Sequence, residues 1–223
     1  MTLIDYPDRE LMMVALADTI ATQLRRALEV GGRATLCVPG GTTPGPIFDI
    51  LSGLDLDWAN VSVLLNDERW VPEDSPRSNT AMLKSRLLQG RAAAAHLVPL
   101  YAPGDAPEER IEALAAGVSA VLPITVLLLG MGADMHAASL FPGGDRLAAA
   151  LAEDAPVLAA MRAPGAGDPR VTLTAPVLRD AMHIHILITG AEKRAAIERA
   201  AQLPEAEAPV RAVLKNATIH WAD

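Results

Sequence analysis

The sequence has a single cysteine, Cys37, among its 223 residues. One cysteine cannot close a disulfide within the chain, so the sequence carries no sign of an oxidising compartment. The first ten residues also lack the basic and then apolar segments of a secretory signal. These absences predict a cytoplasmic protein.

Long hydrophobic runs and an excess of positive charge are also missing. The longest strongly apolar run, 121–129, is interrupted by Pro123 and is far shorter than the ~20 residues that span a bilayer. The 19 basic and 27 acidic side chains give a net charge of −8. This charge argues against nucleic acid or an anionic membrane as a partner. An anionic small molecule would need a local basic cluster, and no signal indicates an oligomeric state.

What the chain does have is enough apolar material for a sizeable core, since 51% of its residues are hydrophobic. Proline and glycine are scattered between periodic segments instead of being pooled in a linker, and no repeat at solenoid spacing is present. We therefore predict one domain over residues 1–223.

Short apolar runs alternate with stretches that have apolar residues at helical spacing. This pattern predicts strands over 34–38, 61–65, 124–129 and 183–188, and helices over 10–30, 46–54, 79–88 and 191–200. Near-continuous apolar strands that alternate with helices indicate an α/β fold, with a mostly parallel sheet covered by helices on both faces. Ligands of such sheets bind outside the carboxyl ends of the strands. The polar loops of this chain follow those ends.

The first of these loops, Gly40-Gly-Thr-Thr-Pro44, connects a strand to a helix. Glycine lets the backbone approach a ligand, and the free N–H groups at the start of a helix favour an anion. Thr42 and Thr43 add hydroxyl donors. The loop is equally compatible with an ordinary tight turn and a threonine helix cap.

The loops after the strand 61–65 contain charged residues with two interpretations. In Asn66-Asp-Glu-Arg69, the carboxylates could orient a hydroxyl-rich substrate or transfer protons, whereas Asp67 could simply shape a turn while Glu68 pairs with Arg69. In the following Ser75-Pro-Arg-Ser-Asn79, Ser78 or Asn79 is a candidate helix cap. Arg77 is either a surface residue or an anion contact.

Asp134 and His136 lie in a glycine-containing loop after the strand 124–129. An imidazole near a carboxylate can act as a general base close to neutral pH, whereas a lone loop histidine is more often simply solvated. The local sequence leaves both interpretations open. The loop is not a dinucleotide fingerprint, because Met135 occupies the place of the third glycine.

Two cations, Arg170 and Lys193, each lie next to an apolar strand. They are either surface charges or the local basic cluster that an acidic protein needs in order to hold a phosphate. His183 and His185 alternate along one strand, so they share a face, and without a third ligand nearby we interpret them as packing residues and not as a metal site.

Taken together, six segments resemble the 6-phosphogluconolactonases of the glucosamine-6-phosphate isomerase/6-phosphogluconolactonase superfamily. They occur in the family's order and are Gly40–Pro44, Asp67–Pro72, Ser78-Asn79, Gly130–Pro142, Arg170–Thr174 and Gly190–Lys193.

The resemblance implies a Rossmann-like sheet and hydrolysis of 6-phospho-D-glucono-1,5-lactone, the second step of the pentose phosphate pathway, with no metal or organic cofactor. It also implies a general base, His136, which Asp134 would orient. The remaining implied roles are a phosphate site and two contacts to the sugar hydroxyls. The phosphate site would comprise Gly41, Thr42, Thr43, Arg170 and Lys193, and the hydroxyl contacts would be Asp67 and Asn79.

The catalytic loop departs from the family pattern, which reads Asp-Gly-His-Thr where this chain has Asp134-Met-His-Ala137. Methionine does not easily adopt the positive φ that glycine allows. We therefore expect either ordinary backbone angles at Met135, or a side chain that projects into or beneath the site.

Two rival functions follow from the same resemblance. A glucosamine-6-phosphate isomerase or deaminase would abstract a proton with Asp67, but the carboxylate that those enzymes carry after the histidine is missing from Ala138-Ser-Leu-Phe-Pro142. A non-catalytic sugar-phosphate sensor would bind without turnover, and the presence of His136 weighs against it.

Overall fold

The structure is a computed structural model that describes every residue from Met1 to Asp223. The strands are β1 Thr2–Asp5, β2 Ala34–Val38, β3 Val61–Leu65, β4 Asp67–Arg69, β5 His96–Val98, β6 Val126–Gly130, β7 Leu158–Met161, β8 Arg170–Leu173, β9 His183–Thr189 and β10 Ala217–Ala222. The helices are α1 Arg9–Gly31, α2 Gly45–Gly53, α3 Asn79–Arg86, α4 Ile111–Ser119, α5 Leu147–Leu151, α6 Ala175–Arg179, α7 Ala191–Ala200 and α8 Arg211–Leu214.

Seven strands form one sheet in the order β1-β10-β9-β6-β2-β3-β5, and every neighbouring pair in it is parallel. The four strands predicted from the sequence occupy its centre as β9-β6-β2-β3. All five residues of β2 are buried, which is why the strand reads as an unbroken apolar run. The predicted α/β fold with a mostly parallel sheet is confirmed.

A second sheet of three antiparallel strands, in the order β4-β8-β7, was not predicted. Its strand β4 is only three residues long and polar, so it has no periodicity by which a strand could be recognised. The pairing of β4 with β8 places Asp67 opposite Thr172 and Arg69 opposite Arg170. Residues about a hundred positions apart in sequence therefore meet beside the end of the large sheet.

Helix α1 packs against β2, β6 and β10. It begins where the Asp8 carboxylate accepts a hydrogen bond from the Leu11 N–H, and it ends at Gly32, which takes the left-handed φ of +69°. The buried hydrophobic side chains form one cluster of 61 residues. None of the helices combines the length and apolar character needed to cross a membrane.

Candidate active site

A cleft of about 540 Å³ opens at the carboxyl ends of β2, β3, β6 and β9. This is the edge of a parallel sheet at which ligands bind. Its charged lining consists of Arg69, Arg170, Lys193, Asp67 and Asp134, and His136 adds an imidazole. The chain as a whole has a net charge of −8, whereas the cleft is lined by three cations and only two carboxylates. The cleft is therefore a locally basic region of an acidic protein.

His136 and Asp134 form a hydrogen-bonded pair at the mouth of this cleft. The imidazole Nδ1 lies 2.6 Å from Asp134 Oδ1. An ionised carboxylate can only accept, so the proton lies on Nδ1 and the other ring nitrogen, Nε2, carries the lone pair. Nε2 has no hydrogen-bond partner in the chain, and the His136 side chain is 31% exposed. The pair therefore presents a free basic nitrogen to the cleft.

A backbone hydrogen bond closes the loop that carries this pair, from Gly132 to His136. The Gly132 N–H donates to the His136 carbonyl over 3.1 Å. A Cβ at Gly132 would overlap both the Asp134 carboxylate and the His136 ring. Glycine is therefore required here because the Asp134 and His136 side chains fill the space that a side chain would need.

Met135 adopts a φ of +68°, so the expectation of ordinary backbone angles at this position is wrong. The left-handed conformation costs a non-glycine residue about 1–2 kcal/mol. The side chain is 8% exposed and belongs to the hydrophobic core, and it is not part of the cleft lining. The other alternative is confirmed, because the Met135 side chain lies beneath the site.

The Phe141 ring contacts both His136 and Arg170 in the cleft lining. The His136 and Phe141 ring centroids are 4.6 Å apart, and the Arg170 guanidinium carbon is 5.6 Å from the Phe141 centroid. The aromatic ring thus contacts both groups and fixes their separation. No sequence pattern selects Phe141, because its contacts depend on how β8 is placed.

Asp67 is a buried carboxylate with one oxygen bound and one free. Its Oδ2 accepts from the Ser139 hydroxyl over 2.5 Å and from Arg170 over 3.4 Å. Its Oδ1 has no partner in the chain and is not among the fully enclosed polar atoms. Asp67 can therefore accept a further hydrogen bond from a ligand in the cleft.

Asn79 lies between Asp67 and the glycine loop. Its amide donates to the Asp67 carbonyl over 3.2 Å and accepts from Arg69 over 2.8 Å. A Cβ at Gly40 would overlap the Asn79 side chain, which explains the glycine there. Arg69 lines the cleft through this network and is a site residue that the sequence interpretation did not select.

Glu68 does not pair with the Arg69 side chain, so that interpretation is wrong. Its buried carboxylate accepts from the N–H groups of Asn79 and Thr80 at 2.9 and 2.7 Å. A carboxylate at this position satisfies unpaired donors at the start of α3. Ser78, one of the two predicted caps, accepts from the Ala81 N–H and is the N-cap residue.

The loop Gly40–Thr43 leaves all four of its backbone N–H groups without a hydrogen bond in the chain. Gly41 has a φ of +84°, which turns the loop towards the start of α2. Pro44 caps that helix without a side-chain hydrogen bond, so the threonine-cap interpretation is wrong. Thr43 lines the cleft, whereas Thr42 lines two neighbouring grooves.

The two predicted cations reach the cleft from different elements. Lys193 lies in the first turn of α7, which starts after Gly190 with its φ of +83°, and the Lys193 ammonium has no partner in the chain. Arg170 donates to Asp67 and to the Ala166 carbonyl, and its Nε is buried without a partner. Burial lowers the pKa of Arg170 from its ordinary value.

Arg77 is a predicted site residue whose side chain points away from the cleft. Its Nη1 donates to both carboxylate oxygens of Asp168, at 2.8 and 2.7 Å, and the side chain is 61% exposed. It does not line the cleft. Its backbone carbonyl accepts a hydrogen bond from Arg69, and Arg77 is connected to the cleft only through this bond.

The fold and this cleft correspond to a known enzyme family. The sequence model for glucosamine-6-phosphate isomerases/6-phosphogluconolactonases matches residues 7–221. The chain belongs to this family.

Its relatives narrow the assignment to the lactonase branch. A 6-phosphogluconolactonase from Rhizobium meliloti is 43% identical over 216 residues, covering 93% of each chain. A 6-phosphogluconolactonase from Mesorhizobium japonicum is 43% identical over 228 residues, covering 97% of this chain and 93% of its own. The crystal structure of a 6-phosphogluconolactonase from Shewanella baltica superimposes with a TM-score of 0.96 at 31% identity, over 100% of this chain and 97% of the other.

Proposed function

We propose that His136 is the general base with which this chain hydrolyses 6-phospho-D-glucono-1,5-lactone to 6-phospho-D-gluconate. The lactonase relatives support the reaction. The observation that carries the role of His136 is its unpartnered Nε2 at the cleft, opposite the Nδ1 that Asp134 engages over 2.6 Å. A general base must be able to contact water, and the 31% exposure of the His136 side chain supports this role.

The reaction needs two proton transfers, and one imidazole can perform both. Nε2 removes a proton from water as the water oxygen bonds to the lactone carbonyl carbon. The tetrahedral intermediate then collapses, the bond between this carbon and the ring oxygen breaks, and Nε2–H returns the proton to that ring oxygen. Asp134 stabilises the imidazolium that exists between the two transfers. The products are the open-chain acid and the unchanged enzyme.

The phosphate of the substrate fits the cationic side of the cleft. The unpaired N–H groups of the loop Gly40–Thr43 form a concave donor surface at a helix start, which suits a phosphate. Lys193 adds an ammonium without a competing carboxylate, and Arg170 adds a guanidinium. Holding the phosphate at one end of the substrate fixes the carbonyl at the other end near the base.

Two polar groups beside the cationic ones suit the sugar hydroxyls. Asp67 Oδ1 is a free acceptor, and the Asn79 amide has a second N–H that no protein group uses. Arg77 contributes no contact in this arrangement, because Asp168 holds it outside the cleft.

The direct test is hydrolysis of freshly prepared 6-phosphogluconolactone by the purified chain, corrected for the spontaneous reaction. We expect acceleration without added metal. Binding of 6-phosphogluconate without acceleration would instead support a sensor. Turnover of glucosamine 6-phosphate would support the isomerase, although the cleft carboxylates are only Asp67 and Asp134.

The phosphate site is tested by two matched substitutions of cations. Lys193→Ala should raise KM about tenfold to a hundredfold with a smaller change in kcat, because a charged hydrogen bond contributes about 1.5–3 kcal/mol. Arg77→Ala removes a cation that lies outside the cleft, and it should leave both constants unchanged. Equal effects of the two substitutions would contradict a local phosphate site.

A further inference from the structure

Met135 occupies an unusual position between the two residues of the catalytic pair. Asp134 and His136 both line the cleft, but the Met135 side chain lies in the core and is 8% exposed. Its φ of +68° is a conformation that favours glycine. A methionine therefore adopts a strained backbone directly beside the base.

Three attachments hold Met135 in this conformation. Its side chain is packed in the hydrophobic cluster, its carbonyl accepts from the Val210 N–H over 3.0 Å, and its N–H donates to the Gly132 carbonyl over 3.0 Å. Val210 is fully buried and immediately precedes α8. The catalytic loop is thus fastened to a segment more than seventy residues further along the chain.

We propose that Met135 is a positioning residue whose buried side chain holds the left-handed turn and thereby the geometry of the Asp134–His136 pair. Non-glycine residues remain in such a conformation only when the surrounding structure enforces it. If the side chain is shortened, the backbone is free to relax towards ordinary angles. His136, the next residue, then moves relative to both Asp134 and the cleft. The proposal rests on the proposed function, since it assigns Met135 to the base of that reaction.

Three substitutions separate the side chain from the backbone conformation. Met135→Leu keeps an apolar side chain of similar volume and should change kcat by less than about twofold. Met135→Ala keeps the strain and removes most of the side chain. Met135→Gly removes both. We expect Met135→Ala to lower kcat by about tenfold or more, with KM changed by less than about twofold, because small displacements of a catalytic group are costly. Met135→Gly should stay within about twofold of the wild-type kcat, because glycine adopts the left-handed conformation without needing a buried side chain to hold it.

A second measurement follows the pair without using activity. In the wild-type chain, nitrogen NMR of the imidazole should show His136 as the Nδ1–H tautomer, because Asp134 accepts that proton. Met135→Ala should shift towards a mixture of tautomers, whereas Met135→Gly should keep the wild-type tautomer. This readout is also informative if the wild-type chain proves inactive on the lactone, so failure of the proposed function and failure of the positioning role are distinguishable.

Met12→Ala is the matched control, because Met12 is equally apolar, fully buried in α1 and remote from the cleft lining. It should lower Tm while kcat and the His136 tautomer stay as in the wild type. If Met135→Ala does not fold, Met135→Cys shortens the side chain less and should show the same changes to a smaller degree. The positioning role is overturned if the folded variants Met135→Ala and Met135→Cys retain the wild-type kcat and tautomer, or if Met12→Ala alters both equally.

Discussion

The molecule contains two hydrogen-bonded pairs with histidine in contrasting surroundings, His136 with Asp134 and His185 with His220. His136 is partly exposed at the end of β6 and binds a carboxylate. His185 and His220 are 4% and 2% exposed on the neighbouring strands β9 and β10, and they bind each other through Nδ1 and Nε2 over 3.0 Å. The same side chain is therefore a candidate base in one place and a packing residue in the other.

The buried pair has only neutral partners. His185 Nε2 lies 2.9 Å from the Gln23 side-chain oxygen, and His220 Nδ1 lies 2.9 Å from the Tyr6 hydroxyl. Burial lowers the pKa of His185 to about 3 and that of His220 to about 4. Desolvation penalises a charged imidazole that no carboxylate stabilises. Access to the cleft and an acidic partner therefore distinguish His136, the candidate base, from the packing residues.

The sharpest test of this contrast is to replace one histidine of each pair by glutamine. His136→Gln should lower kcat by about 10² to 10⁴, because it removes the general base. His185→Gln should retain kcat and lower Tm, because it disturbs a buried hydrogen-bonded pair. Steady-state kinetics and thermal unfolding of both variants decide the point. Wild-type turnover in His136→Gln would reverse the assignment.

A smaller effect is expected when the catalytic pair is displaced instead of removed. Gly132→Ala introduces a methyl group into the space that the Asp134 carboxylate and the His136 ring occupy. We expect kcat to fall about tenfold to a hundredfold. Gly53→Ala, at the end of α2 with nothing within 4 Å of the new Cβ, is the control and should have normal kinetics. Normal turnover in Gly132→Ala would show that the pair tolerates displacement.

The smallest expected effect is a pH dependence of stability that comes from the buried pair. The folded pKa values of His185 and His220 are below the ordinary 6.5, so the unfolded chain binds protons more readily. Their contribution to the stability of the folded chain is fully present above about pH 6.5. It is lost as the pH falls towards the folded pKa values of about 4 for His220 and about 3 for His185. In that range, each histidine lowers the free energy of unfolding by up to about 1.4 kcal/mol for every pH unit of acidification.

Urea unfolding between pH 7 and pH 5 measures this dependence. The double variant His185→Gln/His220→Gln should be less stable at pH 7 and should have a flatter slope with pH than the wild type. Identical slopes would mean that other groups control the acid sensitivity.

The periodic parts of the fold were predictable from local sequence. The strand 34–38 and the helix 191–200 have the predicted bounds, because their apolar spacing reflects burial on a sheet or on one helix face. The short strand β4 and its pairing with β8 were not predictable. Their stability depends on contacts between distant segments and not on local propensity.

The candidate site was predictable only in part. Asp134 and His136 could be selected because they are close in sequence and follow a buried strand. Phe141 and Arg69 were missed, and Arg77 was selected although Asp168 holds it outside the cleft. In these cases the direction of a side chain is set by a partner far away in the sequence, and no local pattern records it.

The sequence alone determined the class of fold and the family, and it selected Asp134 and His136 as the candidate catalytic pair, since all three depend on short segments in a fixed order. The tertiary structure decided which histidines are accessible, which cations face the cleft, and how Met135 adopts its left-handed conformation. The physical reason is that solvent access and partner distance are properties of packing. They arise only when residues that are distant in the sequence, such as Met135 and Val210, contact each other in the folded chain.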